Sequence, residues 1–209
     1  MVNSIGIFNN KYYYKGQEYD SYNINSLLEK LGNKRRLLIL SQGIFIKKYQ
    51  ILNKRISVDK FIEKKISEDF SDKNNLLFHH EFLKKSKVIY IYSIRYSNFI
   101  KSCTNVTHLQ VEPIQFLIRK YVIKKLRGSK DSIIIYKIKD LFHLINIENG
   151  FIENSYITND DKDIKKFIIE YKSQNKKLII DKSIEDITID SYDYSINIGE
   201  KIYEEIFKK

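Results

Sequence analysis

Few residues in this chain of 209 amino acids are placed to do chemistry, and their spacing argues against most reactions. His79 and His80 are adjacent. Neighbouring strand residues point to opposite faces, so the pair does not offer one metal-binding face. His108 and His143 have no Cys, Asp or Glu at ligand spacing. Cys103 is the single cysteine and lies between Ser102 and Thr104 with no histidine near it, the setting of an inert thiol. Glu18, Asp20 and the run Asn159-Asp160-Asp161-Lys162-Asp163 supply carboxylates for a metal or an acid/base pair. The run precedes a helical pattern, where carboxylates favour the positive end of the helix dipole, so capping is the better reading. Tyr12-Tyr13-Tyr14 could stack on bases, but at alternating positions of a hairpin they read as strand packing. Lys120, Lys124 and Arg127 fall at i, i+4 and i+7 and, with Lys130, make a basic helical stripe. It reads as a solvated face; its functional alternative is contact with acidic lipid headgroups or nucleic-acid phosphates.

The elements that must position these residues follow from composition. With 43% hydrophobic and 30% charged residues, the chain is too polar for a membrane protein and too rich in Ile, Leu, Phe and Tyr to be disordered. Its apolar runs, Leu37–Leu40 and Ile133–Tyr136 among them, are strand-sized, far short of the roughly 20 residues that cross a bilayer. The opening Met-Val-Asn-Ser-Ile-Gly lacks the basic start and apolar core of a signal peptide, and a lone cysteine fits a reducing compartment. A cytoplasmic location is expected. The net charge of +11 alone suggests an anionic partner. However, arginine occurs only at 35, 36, 55, 95, 119 and 127, and alanine is absent, while Lys, Ile, Asn, Tyr and Phe abound. That is the imprint of an A/T-rich genome on a Lys-rich surface. Phosphate and base recognition favours arginine forks, so nucleic acid is disfavoured as a partner.

Periodicity predicts alternating strands and helices. Ser4–Phe8 and Lys11–Tyr19 read as a hairpin around Asn9-Asn10. A helix is expected over Asn25–Leu31, then strands at Arg36–Ser41 and Ile44–Leu52. Ser57 caps a helix reaching Phe70. Strands follow at Leu76–Leu83 and Lys87–Arg95, the latter apolar enough to be central. A short helix at Asn98–Cys103 and a strand at His108–Glu112 lead to Pro113. Pro113 opens an amphipathic helix carrying Ile114, Leu117, Ile118, Tyr121 and Val122. The second half reads strand, strand, strand, helix, strand, helix: Ser132–Ile138, Leu141–Ile147, Phe151–Thr158, a helix from Asp160 or Asp161, Lys177–Asp181, and a C-terminal helix using Ile198, Ile202 and Ile206. A further strand is possible at Ile187–Asp190. That order is the order of a ribonuclease H-like unit, and the first half begins with a similar unit. Two such units give an α/β fold of the actin-like type.

Three stretches then resemble one family. They are Arg36-Leu37-Leu38-Ile39-Leu40-Ser41-Gln42-Gly43-Ile44-Phe45-Ile46-Lys47-Lys48-Tyr49, Leu109-Gln110-Val111-Glu112-Pro113 entering a helix, and Ser132-Ile133-Ile134-Ile135 with a hairpin ending Ile147-Glu148-Asn149-Gly150. In order and spacing they are similar to the actin-like assembly-platform proteins of type IV pili and type II secretion, the PilM and GspL type. The resemblance covers about residues 36 to 170. It implies an actin-like core at 1–36 plus 114–209 with an inserted α/β subdomain at 37–113.

Actin-like ATPases hold Mg-ATP with two acid-led, glycine-containing hairpins and a glycine-rich adenosine loop. This chain departs from that pattern three times. The first hairpin turns through Phe8-Asn9-Asn10-Lys11. In the second, Tyr136 or Lys137 stands where Asp is expected, and the turn is Lys139-Asp140. After Leu178–Asp181 the chain reads Lys182-Ser183-Ile184-Glu185. A nuclease is equally unsupported, since Ser4–Phe8 lacks carboxylates and Ser132–Ile138 carries Lys137. The expectation is therefore a non-enzymatic scaffold with no cofactor and no metal. The resemblance implies that it sits at the inner face of the cell membrane. There it would bind the cytoplasmic tail of a single-span membrane protein and, as a further partner, the assembly ATPase. Phe45, Lys47 and Lys48, near the core–insert junction, are the expected partner-binding residues. A basic nucleic-acid-binding protein is the alternative.

Overall fold

Tight turns organise the first strands. The computed structural model describes residues 3–51, 57–172, 174–184 and 191–207. Asn9 takes φ 55°, and Lys15 and Gly16 take 48° and 77°, so β1 (Asn3–Phe8), β2 (Lys11–Tyr14) and β3 (Gln17–Tyr19) form an antiparallel meander. The second expected strand is thus broken at Lys15-Gly16, where the left-handed backbone suits glycine. Helix α1 (Ile24–Lys30) leads to β4 (Lys34–Ile39), then β5 (Phe45–Gln50). Helix α2 (Val58–Asp69) starts at Ser57, whose Oγ accepts from the Lys60 amide at 3.3 Å. Strands β6 (Leu76–Leu83) and β7 (Val88–Arg95), helix α3 (Asn98–Ser102), β8 (His108–Pro113) and α4 (Ile114–Lys125) follow.

The second half repeats the pattern. Strands β9 (Ser132–Ile138), β10 (Leu141–Glu148) and β11 (Phe151–Thr158) are followed by α5 (Asp161–Lys172), β12 (Lys177–Asp181), β13 (Tyr194–Ile196) and α6 (Ile198–Phe207). The possible strand at Ile187–Asp190 lies outside the described residues. Strand β13 is an element the sequence reading missed.

Two five-stranded sheets have the same connectivity, β3-β2-β1-β4-β8 and β11-β10-β9-β12-β13. In each, a meander pairs antiparallel and two later strands add in parallel, β4 on β1 and β12 on β9. This is the duplicated ribonuclease H-like architecture. Helices α4 and α6 carry contacts to both halves: α4 to β8, β10 and β11, and α6 to β1, β2 and β9. Helix α6 comes so close that a Cβ on Gly6 would lie 3.0 Å from Ile206 Cγ2 and 3.1 Å from Leu40 Cδ1.

A third sheet, β5-β7-β6, spans Phe45–Arg95 and carries α2. Its central strand β7 is buried on both faces. Val88, Tyr90, Tyr92 and Ile94 join the main core, while Ile89 and Ile91 join a separate cluster with Ile62 and Phe70. Strands β4 and β8 pair in the core sheet from Lys34↔His108 to Ile39↔Pro113. The expected divisions at 36/37 and 113/114 therefore fall inside β4 and after β8, and both strands are core elements.

The insert is fastened to the core by polar contacts along this seam. Arg119 on α4 donates to both carboxylate oxygens of Glu81 on β6, at 2.6 and 2.7 Å, and Tyr92 donates to Glu81 Oε2 at 3.0 Å. Burial would raise the Glu81 carboxyl, but the guanidinium outweighs it and holds Glu81 below its ordinary range. Arg119→Ala strands a half-buried carboxylate, and we expect it to cost about 2–3 kcal/mol, discounted for partial exposure. The double variant Glu81→Gln/Arg119→Met, which keeps an acceptor for Tyr92, should recover much of that loss in a urea-denaturation midpoint. Equal losses in both would show that the pair itself is not the fastening.

Candidate functional site

The hairpin turns that would grip a nucleotide come from β1–β2 and β9–β10, one in each half. Here the two turns touch. Lys139, with φ 56° at the β9–β10 turn, lies with its ammonium 4.2 Å from the Tyr13 ring centre and 4.8 Å from that of Phe8. It also donates to the Tyr13 hydroxyl. Tyr13 in turn donates to Glu18 Oε2 at 2.8 Å, and Lys11 donates to Glu18 Oε1 at 2.5 Å. Burial first, then the Glu18 carboxylate, push the Tyr13 phenol up to about 12. The bonds from Lys11 and Tyr13 lower Glu18. Lys139 thus ties the second hairpin to the first, whose own Lys11, Tyr13 and Glu18 are bonded to one another.

Asp181 ends β12 and is buried, 1% exposed. Its oxygens accept from the amides of Ser183, at 3.0 Å, and Gly199, at 2.7 Å, so the carboxylate staples the start of α6. Among the described residues no group of three His, Cys, Asp or Glu is arranged to hold a metal ion. At these hairpins Lys11, Lys139 and Glu18 are bonded, and the remaining acid, Asp140, follows Lys139 in its turn, a set that does not match two acid-led, glycine-containing turns around a magnesium triphosphate.

Behind Lys139, His143 on β10 stacks on Tyr136 of β9 at 4.6 Å. Both are fully buried, and neither the His143 nitrogens nor the Tyr136 hydroxyl has a hydrogen-bond partner. Desolvation drives His143 down to about 3, against a smaller opposing pull from the Leu40 carbonyl, which neither ring nitrogen reaches in hydrogen-bonding geometry.

Grooves line the seam between insert and core. One, of about 750 Å³, runs between the edge strands β6 and β8 and along α4. Phe78, Val111, Pro113, Phe116 and Ile123 give it an apolar lining, with Lys120 and Lys124 at its rim. Desolvation lowers the pKa of His79, which sits edge-on to Phe116 at 5.4 Å. A second groove, of about 600 Å³, lies between β5 and β11 and includes Phe45, Asn154 and Tyr171. A third and larger hollow, of about 830 Å³, opens between the β1–β2 turn at Asn9 and Asn10, the end of β4, and Arg95 of the insert.

The expected partner-binding residues all lie on β5, in different surroundings. Phe45 is 56% exposed beside the β5–β11 groove. Lys47 donates to the Asp69 carbonyl at 2.9 Å and lies 5.1 Å from the Phe70 ring centre. Lys48 crosses the seam to Glu153 Oε1 at 2.7 Å. Both lysines thus have internal partners, while Phe45 presents an exposed apolar ring. Sequence reasoning missed Lys139, whose partners sit 126 positions away, and the Glu81–Arg119 pair.

No protein-family model matches the chain, and no curated protein sequence matches it. Solved structures do. A Bacteroides thetaiotaomicron protein with an actin-like ATPase fold and unknown function aligns at 13% identity, covering 98% of this chain and 88% of its own, with a TM-score of 0.54. A PilM–PilN type IV pilus biogenesis complex aligns at 6% identity over 99% of this chain and 90% of its own, with a TM-score of 0.64. The cytoplasmic domain of EpsL, an inner-membrane component of the type II secretion system of Vibrio cholerae, aligns at 9% identity over 86% and 80%, with a TM-score of 0.51. At such identities the likeness is one of fold, and the fold is actin-like.

A pH dependence follows from His143. Its pKa falls from 6.5 in solution to about 3 in the folded chain, so between these values the unfolded chain binds the extra proton. Stability from this group is complete above about 6.5 and erodes on acidification, by roughly 1 kcal/mol per pH unit. The variant His143→Phe should show a flatter stability curve between pH 6 and 5. Identical slopes in the two proteins would place the acid sensitivity elsewhere.

Proposed function

We propose that this actin-like chain is a non-catalytic cytoplasmic scaffold of a type IV pilus or type II secretion inner-membrane assembly platform. It would hold the cytosolic tail of a membrane partner in a groove between core and insert. The observation that carries this reading is the β6–β8–α4 groove. It combines an apolar lining, two edge strands able to pair with an extended peptide, and a rigid frame on which both walls are mounted. The likeness in fold to PilM and to EpsL supports it. Chemistry is disfavoured by the hairpins: Lys139 bonds across the cleft to Tyr13, while Lys11 and Tyr13 bond Glu18 within the first meander. No helix among the described residues is long and apolar enough to cross a membrane. We draw the insert at 44–95 and the core at 3–41 with 97–207, following the sheets.

The β5–β11 groove would be a second dock, favoured by the exposed ring of Phe45, with Lys48 bonded to Glu153 of its lining. An assembly ATPase would have to use a face other than the one taken by the tail.

Photo-crosslinking in cells discriminates these readings. A photoreactive phenylalanine at position 116 should capture a single-span membrane protein through its cytosolic tail, identified by mass spectrometry. Val111→Asp, on the opposite wall, should reduce that yield at least tenfold, on the order of 1.4 kcal/mol or more. The same probe at position 45 tests the second groove. Crosslinks from both positions to soluble proteins alone would end the tail-docking reading. A Mg-ATP-dependent rise in melting temperature of several degrees would restore an ATPase.

A further inference from the structure

Helix α4 presents a second face beside the proposed groove. Lys120, Lys124 and Lys125 are exposed there. With Lys201 of α6 and Arg36 of β4 they surround a shallow hollow of about 620 Å³, floored by Leu117 and Tyr121. The anionic groups placed against it are few. Glu112 is taken by Arg36 at 2.7 Å, and Glu204 lies 3.9 Å from Lys201. Lys120 and Lys124 have no ion pair among the described residues. Lys125 donates to the Tyr121 hydroxyl, a neutral partner, at 3.0 Å. Arg127 and Lys130, exposed just beyond the helix, extend the positive field.

We infer that this α4–α6 face lies against an anionic phospholipid surface, with the lysine ammoniums among phosphate and carboxylate headgroups. Charge complementarity carries the inference: Lys120, Lys124 and Lys125 share one hollow without a carboxylate partner among the described residues, and Arg36 and Lys201, paired to Glu112 and Glu204, complete its rim. Clustered basic residues of this number hold peripheral proteins to acidic leaflets, each cation near the surface contributing about 1 kcal/mol. Lysine suits this task. It is a flexible point charge that needs no fixed acceptor geometry, whereas nucleic-acid readout uses arginine forks and stacking rings. Position agrees as well. Lys120 and Lys124 line both this hollow and the β6–β8–α4 groove, so a tail leaving a bilayer would enter the groove at the edge of the lipid-facing surface. The positional argument rests on the tail-docking reading; the charge argument stands without it.

The test uses the full chain alone, without any partner, and sedimented vesicles of phosphatidylcholine with and without phosphatidylserine. Binding should require phosphatidylserine and weaken steeply with salt. Each lysine removed should weaken partitioning by about fivefold, so Lys125→Gln/Lys201→Gln, which leaves the groove lining intact, should lose roughly 25-fold. A control, Lys60→Gln/Lys84→Gln/Lys85→Gln on the insert, should partition as the unaltered protein does. An equal loss in the control, no dependence on phosphatidylserine, or tighter binding to duplex DNA at the same salt would each overturn the inference. Tail crosslinking at position 116 that persists without vesicle binding would leave the docking reading standing and remove this one.

Discussion

Strand β7 is the constraint on which the rest of the arrangement depends. A strand buried on both faces has to be covered twice, and here the two covers are different cores. Tyr90 and Tyr92 reach into the main core, where they meet Phe151 at 5.4 Å and Phe116 at 5.0 Å. Ile89 and Ile91 face α2 and its cluster. Lifting the insert would expose two tyrosines and leave the Glu81–Arg119 pair without its setting. The insert is thereby fixed, and so are its edges. Because β7 is central, β5 and β6 must be the rims, and each rim lies beside an edge of a core sheet. The grooves are geometric consequences of one doubly buried strand.

The same economy explains the cleft between the halves. Gripping a magnesium triphosphate requires bare backbone amides and free carboxylates at both hairpins. Here the β9–β10 turn carries Lys139, which lies over Phe8 and Tyr13 while Tyr13 bonds Glu18. A cation packed on aromatic faces and partly desolvated stabilises the contact it makes, on the order of 1 kcal/mol or more. The hairpins have become a clasp between halves. Asp181 shows the same reassignment, since both oxygens are used to fasten backbone amides near α6. A chain with such contacts is suited to holding two halves and an insert in one relation, which is what recognition of an extended peptide needs.

Much of this was legible in the residues, for a physical reason. Strand and helix periodicity are local, so β7, α2, α4 and the second meander were read close to their observed bounds, while the first was read as a hairpin without its break at Lys15-Gly16. The cap at Ser57 and the turn at Asn149-Gly150 are equally local. What escaped reading was decided at long range or by short elements. Strand β13 is only Tyr194–Ile196, too short for a period, and it exists because β12 offers an open edge. The pairing that joins Arg36-Leu37 to the core sheet was not legible, because its partner is 74 positions away in β8. The internal bonds of Lys47 and Lys48 were not legible because their acceptors, the Asp69 carbonyl and Glu153, are remote in sequence. Nothing in a composition of many lysines distinguishes those with internal partners from those without.

That distinction is what gives the α4 face its meaning. Helix dipoles favour cations at a C-terminus, and Lys124 and Lys125 lie in the last turn of α4, so part of the basic stripe has a local structural cause. The dipole does not account for Lys120, half-way along the helix, nor for Lys201 near the start of α6, where a cation is disfavoured. Genome composition does not account for Lys120 and Lys124 either. It raises lysine everywhere, yet Lys48, Lys65 and Lys176 found carboxylates within 4 Å while Lys120 and Lys124 did not. A bias that is uniform in sequence but uneven in neutralisation leaves field where acids are missing. That field is concentrated beside the groove proposed to receive a membrane partner.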